Sequence, residues 1–137
     1  MKQHWYQDGV FVPEMSDLVG KVFTEVEGEE GGGTFRLKCS EGLFEFRHEQ
    51  DCCESVYIES ITGDIADLLG NPILLAEVST SDATPEGFKH DYEPDSQTWT
   101  FYKLATIKGY VDIRWFGTSN GYYSERVDLT FTPAQAA

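Results

Sequence analysis

From Lys21 to Phe131, apolar and polar residues alternate with a period of two over most of the chain, the pattern of strands with one buried face. Val22, Thr24 and Val26 alternate with Phe23 and Glu25 until Glu29-Glu30-Gly31-Gly32-Gly33 interrupts the run as a flexible acidic loop. Thr34 to Cys39 puts Phe35, Leu37 and Cys39 on one face. After the turn Ser40-Glu41-Gly42, Phe44, Phe46 and His48 share a face opposite Glu45 and Arg47, which predicts a hairpin. Ser55 to Ile61 and Ile73 to Val78 read as two further strands. The runs Thr98–Ile107, Tyr110–Phe116 and Tyr122–Phe131, joined by Lys108-Gly109 and by Gly117 to Gly121, predict a three-stranded antiparallel meander. A two-residue turn at Lys108-Gly109 would pair Ile107 with Tyr110 and place Lys103 opposite Arg114. A second turn centred on Ser119 would place Asp112 opposite Arg126 and Phe116 opposite Tyr122.

The period changes once. Ile65, Leu68 and Leu69 fall at i, i+3 and i+4, with Asp64 placed as an N-cap and Gly70-Asn71-Pro72 as a stop, so a short helix is predicted over residues 64–69. Residues 1–20 mix aromatic with polar positions and yield only a short strand at Val10-Phe11-Val12, ended by Pro13. Residues 79–96 form a long polar loop with Pro85, Gly87 and Pro94, a candidate lid or partner contact, and residues 132–137 read as a frayed tail. The expected architecture is a single α+β domain over residues 1–137, predominantly antiparallel sheet with one short helix and the C-terminal meander.

The composition supports a packed core. Hydrophobic residues make up 40% of the 137 and aromatic ones 14%, although 24 Asp and Glu against 10 Lys and Arg leave a formal charge of −14. A surface that acidic repels phosphate backbones and anionic headgroups, so duplex nucleic acid and membranes are not expected partners. The longest apolar stretches, such as Pro72 to Ala76, fall far short of a membrane span, and the first residues lack the apolar segment of a signal peptide, so a cytoplasmic location is expected. Three cysteines, Cys39, Cys52 and Cys53, two of them adjacent, do not have disulfide-scaffold spacing, and reduced thiols are expected.

Two constellations hold residue types suited to chemistry or binding. His48, Asp51, Cys52, Cys53 and Glu54 supply a base, a thiol and metal-ligand types within one short run. Adjacent cysteines on an extended chain point to opposite faces, however, and Asp51 and Glu54 oppose thiolate formation, so no metal site is assigned. The preferred reading makes a buried cysteine, a strand-ending His48 and polar residues that tie down the connection; the alternative is a small metal- or thiol-dependent enzyme. The second constellation is the meander face opposite Tyr102, Leu104, Val111, Ile113, Trp115, Tyr123, Val127 and Leu129. It carries Trp99, Phe101, Lys103, Arg114, Phe116, Tyr122 and Arg126, aromatic platforms beside cations that suit a planar anion. Asp112 and Asp128 can neutralise those cations, and the aromatics can equally serve as packing beneath another element. Asp64 with Asp67, and Glu29 with Glu30, are solvated carboxylates without specificity. No nucleophile elbow, phosphate-binding loop or dinucleotide fingerprint is present.

The run His48-Glu49-Gln50-Asp51-Cys52-Cys53-Glu54-Ser55-Val56, with Asp67 to Ile73, Thr98 to Thr106, Ile113 to Gly117 and Ser119-Asn120-Gly121-Tyr122-Tyr123-Ser124, resembles a family of small uncharacterised proteins found largely in bacteriophages and bacteria. The resemblance spans residues 20–130. It brings no activity, cofactor or site residue with it; it implies a phage or prophage origin. The functional expectation is an acidic accessory protein that binds a host protein or a small anionic ligand, with catalysis, cofactor and oligomeric state left open.

Overall fold

The structure is a computed structural model that describes residues 1–135. Residues 136 and 137, the end of the expected tail, lie outside the described residues. The described residues form ten strands: β1 (Lys2–Gln3), β2 (Phe11–Val12), β3 (Glu25–Glu27), β4 (Thr34–Cys39), β5 (Gly42–Arg47), β6 (Ser55–Thr62), β7 (Leu75–Ser81), β8 (Ser96–Thr106), β9 (Gly109–Ser119) and β10 (Asp128–Pro133). They build two sheets, a six-stranded one in the order β1-β2-β10-β5-β4-β3 and a four-stranded one in the order β6-β9-β8-β7, and every ladder is antiparallel.

The inner faces of the two sheets meet in one apolar core. Phe35, Leu37, Phe44, Phe46 and Phe131 come from the first sheet, and Ile58, Tyr102, Leu104, Val111, Ile113 and Trp115 from the second. Phe46 and Tyr102 pack edge to face across the interface with ring centroids 4.6 Å apart. Burial with Asp128 nearby keeps the Tyr102 hydroxyl far above the ordinary phenol range. The alternation in the sequence located these inward positions because the side-chain period of a strand is two.

The expectation of an α+β fold is overturned: the only helical segments among the described residues are two four-residue 3-10 turns, Met15–Leu18 and Ile65–Leu68. The helix expected over residues 64–69 is therefore one turn. Asp64 does cap it, accepting from the Ala66 N–H at 3.0 Å. Gly63 and Gly70, both at positive φ, bracket so few residues that the costly nucleus of an α-helix is never repaid by further hydrogen bonds. The turn is held from outside instead: the Gly70 N–H donates to the Phe23 carbonyl at 2.9 Å, and the Thr106 hydroxyl to the Asp67 carbonyl at 2.5 Å.

The meander is also corrected. β8 and β9 form the expected hairpin, but Thr106 pairs with Gly109 and Phe101 with Arg114, so the turn is Ile107-Lys108. Because the slip is two residues and not one, each side chain keeps its expected face. The third strand leaves the sheet: β10 lies between β2 and β5, and β6 takes its place beside β9. Residues 120–127 cross between the sheets as an irregular segment. It is anchored where the buried Glu125 accepts from the Thr98 hydroxyl at 2.7 Å and the Ser119 hydroxyl at 2.5 Å. No helix among the described residues is long and apolar enough to cross a membrane.

Candidate functional site

The outer face of the four-stranded sheet is ordered in three rows set by strand register. One row reads Glu77, Lys103, Asp112 and Thr62 across β7, β8, β9 and β6; the next reads Ser79, Phe101, Arg114 and Ser60; the third reads Ser81, Trp99, Phe116 and Tyr57. Side chains in one row stand beside each other, so each row is a line of cross-strand neighbours.

The third row is covered. The segment between β7 and β8, residues 82–95, folds back over it as a strap. Phe88 packs its ring against Trp99 (centroids 4.8 Å apart, 77°) and Phe116 (5.3 Å), while Trp99 and Phe116 stack at 4.3 Å. A hydrogen-bonded chain latches the strap to the sheet. The Trp99 Nε1–H donates to Gln97 Oε1 (3.0 Å), Gln97 Nε2 donates to Thr84 Oγ1 (3.0 Å), and that hydroxyl lies 2.8 Å from His90 Nε2. Trp99 is left fully buried and Phe116 nearly so. Burial first, then the charges of Glu59 and Asp91, raise the Tyr57 hydroxyl above its ordinary pKa.

The first two rows are open. Together with Val78 they form a groove of about 410 Å³, floored by Phe101 and bordered by Glu77, Lys103, Asp112 and Arg114. Its cations are already engaged. A β-bulge between Ile58 and Ser60 turns Glu59 toward Arg114, whose Nε donates to Glu59 Oε2 at 2.6 Å, and the guanidinium lies over Trp99 at 5.3 Å from the ring. Lys103 Nζ sits 3.9 Å from Asp112 Oδ1 and 5.6 Å from the Tyr110 ring. Three carboxylates thus stand with two cations, in a chain of net charge −14.

Of the seven binding residues expected from the sequence, the fold brings five onto this face: Trp99, Phe101, Lys103, Arg114 and Phe116. Trp99 and Phe116 serve as the strap's seat and are not open to a ligand. Tyr122 and Arg126 lie on the crossing segment. Tyr122 is almost fully exposed, and Arg126 pairs with Asp128 at 2.8 Å instead of facing Asp112. Sequence reasoning missed Glu59, whose position depends on a bulge, and Phe88, an isolated apolar ring in a polar loop that shows no periodicity.

The His48–Glu54 segment forms a closed knot. His48 Nδ1 lies 2.7 Å from the Arg126 carbonyl and Nε2 3.1 Å from Glu54 Oε2, so both ring nitrogens face acceptors. The buried Glu54 carboxylate also accepts from the Cys52 N–H (2.8 Å), the Asp51 N–H (3.3 Å) and Gln50 Nε2 (2.9 Å). Desolvation pushes the Glu54 pKa up, but the Cys52 N–H, His48 and the other donors outweigh it and lower it to about 2. Cys52 and Cys53 are joined by a vicinal disulfide, in contrast to the reduced thiols expected, on the bend that lets the Asp51 and Cys52 N–H groups reach Glu54. Cys39 is the free thiol and is buried. The side chains of the knot are thus committed to one another, and Asp51 points to solvent.

A sequence profile described as a domain of unknown function, DUF7448, matches residues 16–129, and the chain belongs to that family. No curated protein and no solved structure matches it.

Proposed function

We propose that this protein acts by binding, not catalysis, and that its groove over Glu77, Phe101, Lys103, Asp112 and Arg114 takes a segment of a host protein with a cationic surface. The observation that carries the reading is a groove with an aromatic floor on a strongly acidic molecule, whose two cations, Lys103 and Arg114, are each paired with a carboxylate, Asp112 and Glu59, so that Glu77 is left over. Net charge of this size raises the encounter rate with a basic partner and depresses it with an anionic one. The small-anion version draws less support, since an anion reaching Arg114 would have to displace Glu59. The resemblance of the sequence blocks to phage proteins supports an accessory role in the host cytosol. For the enzyme alternative, the Glu54 carboxylate is spent on four donors and the two adjacent sulfurs on each other.

The test is site-specific photocrosslinking in host lysate from position 79, in the groove, and from position 38, on the other sheet. Any protein captured is then purified and titrated against wild type and Phe101→Ala. The reading expects capture from position 79 alone, affinity that falls with added salt, and weakening in Phe101→Ala. Arg114→Ala separates the two partner chemistries, since it leaves a cationic partner bound as tightly or more so and abolishes an anionic one. Equal capture from both positions overturns the assignment.

A further inference from the structure

We infer that β7 is a docking edge, and that the partner segment binds as an extended strand added beside it, continuing the four-stranded sheet. The inference deepens the groove reading and rests on it, because the groove ends at β7: Glu77, Val78 and Ser79 form its margin.

The other sheet edges are closed or small. On β6, the Gly31 N–H donates to the Ile58 carbonyl (2.7 Å), the Ile58 N–H to the Gly32 carbonyl (2.8 Å) and the Ile61 N–H to Glu30 Oε2 (2.9 Å). The acidic glycine loop is therefore an edge cap. β1 has two residues, and β3 has three with Glu25 and Glu27 exposed on it. Short, charged or covered edges are the usual protection against strand addition. β7 has little of this protection: it runs seven residues in unbroken register with β8, contains no proline, and carries a single charge, Glu77. Among the described residues, no backbone group of Leu75–Ser81 bonds to anything but β8. The 3-10 turn Met15–Leu18 packs beside the strand and Leu75 and Ala76 are half-buried, so the open stretch is Glu77–Thr80.

The exposed side chains define the occupant. An added strand presents alternate residues to the two faces. On the outer face its residue opposite Glu77 meets a carboxylate and beyond it the groove; on the inner face its neighbour covers Val78, a valine left 47% exposed. The partner segment is thus extended and alternates basic with β-branched apolar residues, the strand-addition mode in which main-chain bonds give affinity and alternate side chains give specificity.

The probe is a seven-residue peptide alternating Lys and Val, with both ends blocked, titrated by amide NMR into wild type. Two further peptides carry N-methyl groups on every Val or on every Lys. A strand bonds its neighbour through alternate residues only, so strand addition expects protection of amides within 77–81 and loss of binding in one methylated peptide but not the other. Removing two or three main-chain bonds corresponds to about tenfold or more in affinity. Equal binding of all three peptides, no binding, or protection away from β7 overturns the edge assignment. Phe101→Ala distinguishes the two readings, because it removes the groove floor and no β7 backbone group: sensitivity to Phe101→Ala with indifference to methylation retains the groove and refutes the edge.

Discussion

Replacing Phe88 by Ala tests whether the strap over Trp99 and Phe116 is held by packing. The ring is half-buried and makes two aromatic contacts with the sheet, Trp99 at 4.8 Å and Phe116 at 5.3 Å, besides one within the strap to His90. Each such pair contributes about 0.5–1.5 kcal/mol beyond burial, and half the burial of a Phe side chain adds about 1 kcal/mol. The loss is therefore about 2–4 kcal/mol, which corresponds to roughly 30- to 700-fold in an opening equilibrium. The strap can open without breaking the inner core, so this loss falls on local opening and much less on global unfolding. Amide exchange in residues 84–92 and urea denaturation read the two separately. Phe88→Ala should accelerate exchange in the strap by at least about 30-fold while the urea midpoint moves little. Strap exchange within a factor of three of wild type would show that the Thr84–Gln97–Trp99 hydrogen bonds hold the segment, and the packing argument would be wrong.

Three other perturbations probe different parts of the fold. Gly42 has φ +152°, and a Cβ there would lie 2.2 Å from the Thr132 carbonyl oxygen, whereas Gly31 at φ +87° has open space, so Gly42→Ala should lower Tm far more than Gly31→Ala, which pays only the backbone strain of about 1–2 kcal/mol. For Glu54, the folded pKa of about 2 lies below the ordinary value of 4.5, so its stabilisation is complete above pH 4.5 and fades as pH falls toward 2. Urea midpoints of wild type and Glu54→Gln should accordingly differ most near neutral pH and converge in acid, and a difference independent of pH would refute this. Replacing both Cys52 and Cys53 by Ser should change stability by less than about 1 kcal/mol, because a bridge between adjacent residues closes almost no loop and Glu54 holds the turn through main-chain N–H groups.

What could be read from the sequence was whatever depends on neighbours along one strand. Alternation identified Phe35, Leu37, Tyr102, Leu104, Val111 and Ile113 as inward-facing and kept Trp99, Phe101, Lys103 and Arg114 on one face, even though the turn moved by one residue and the pairing register slipped by two. What could not be read depends on partners distant in the chain. β10 has the same alternating pattern wherever it pairs, and nothing local says that it joins β5 and not β9. The segment 64–69 had a helical stripe and a cap, but residues i and i+3 also align in a 3-10 turn, and only the glycines on either side decide between the two.

The same distinction explains why a face that looks like an anion site in the sequence is better suited to a strand of opposite character. Lys103 and Arg114 are two of the chain's ten basic residues, and in one dimension they stand out beside the aromatics. In three dimensions each is met by a carboxylate, Asp112 across the ladder and Glu59 through a bulge, so neither offers a free charge to an anion. The strap removes Trp99 and Phe116 from solvent and leaves Phe101 as the outward-facing ring on the floor of the open groove. A groove with one outward-facing ring, balanced charge pairs and an uncapped strand at its margin has little with which to grip a small ligand. It has main-chain hydrogen bonds to offer an extended one, and the carboxylate that remains unpaired there, Glu77, sets the charge that the incoming strand must carry.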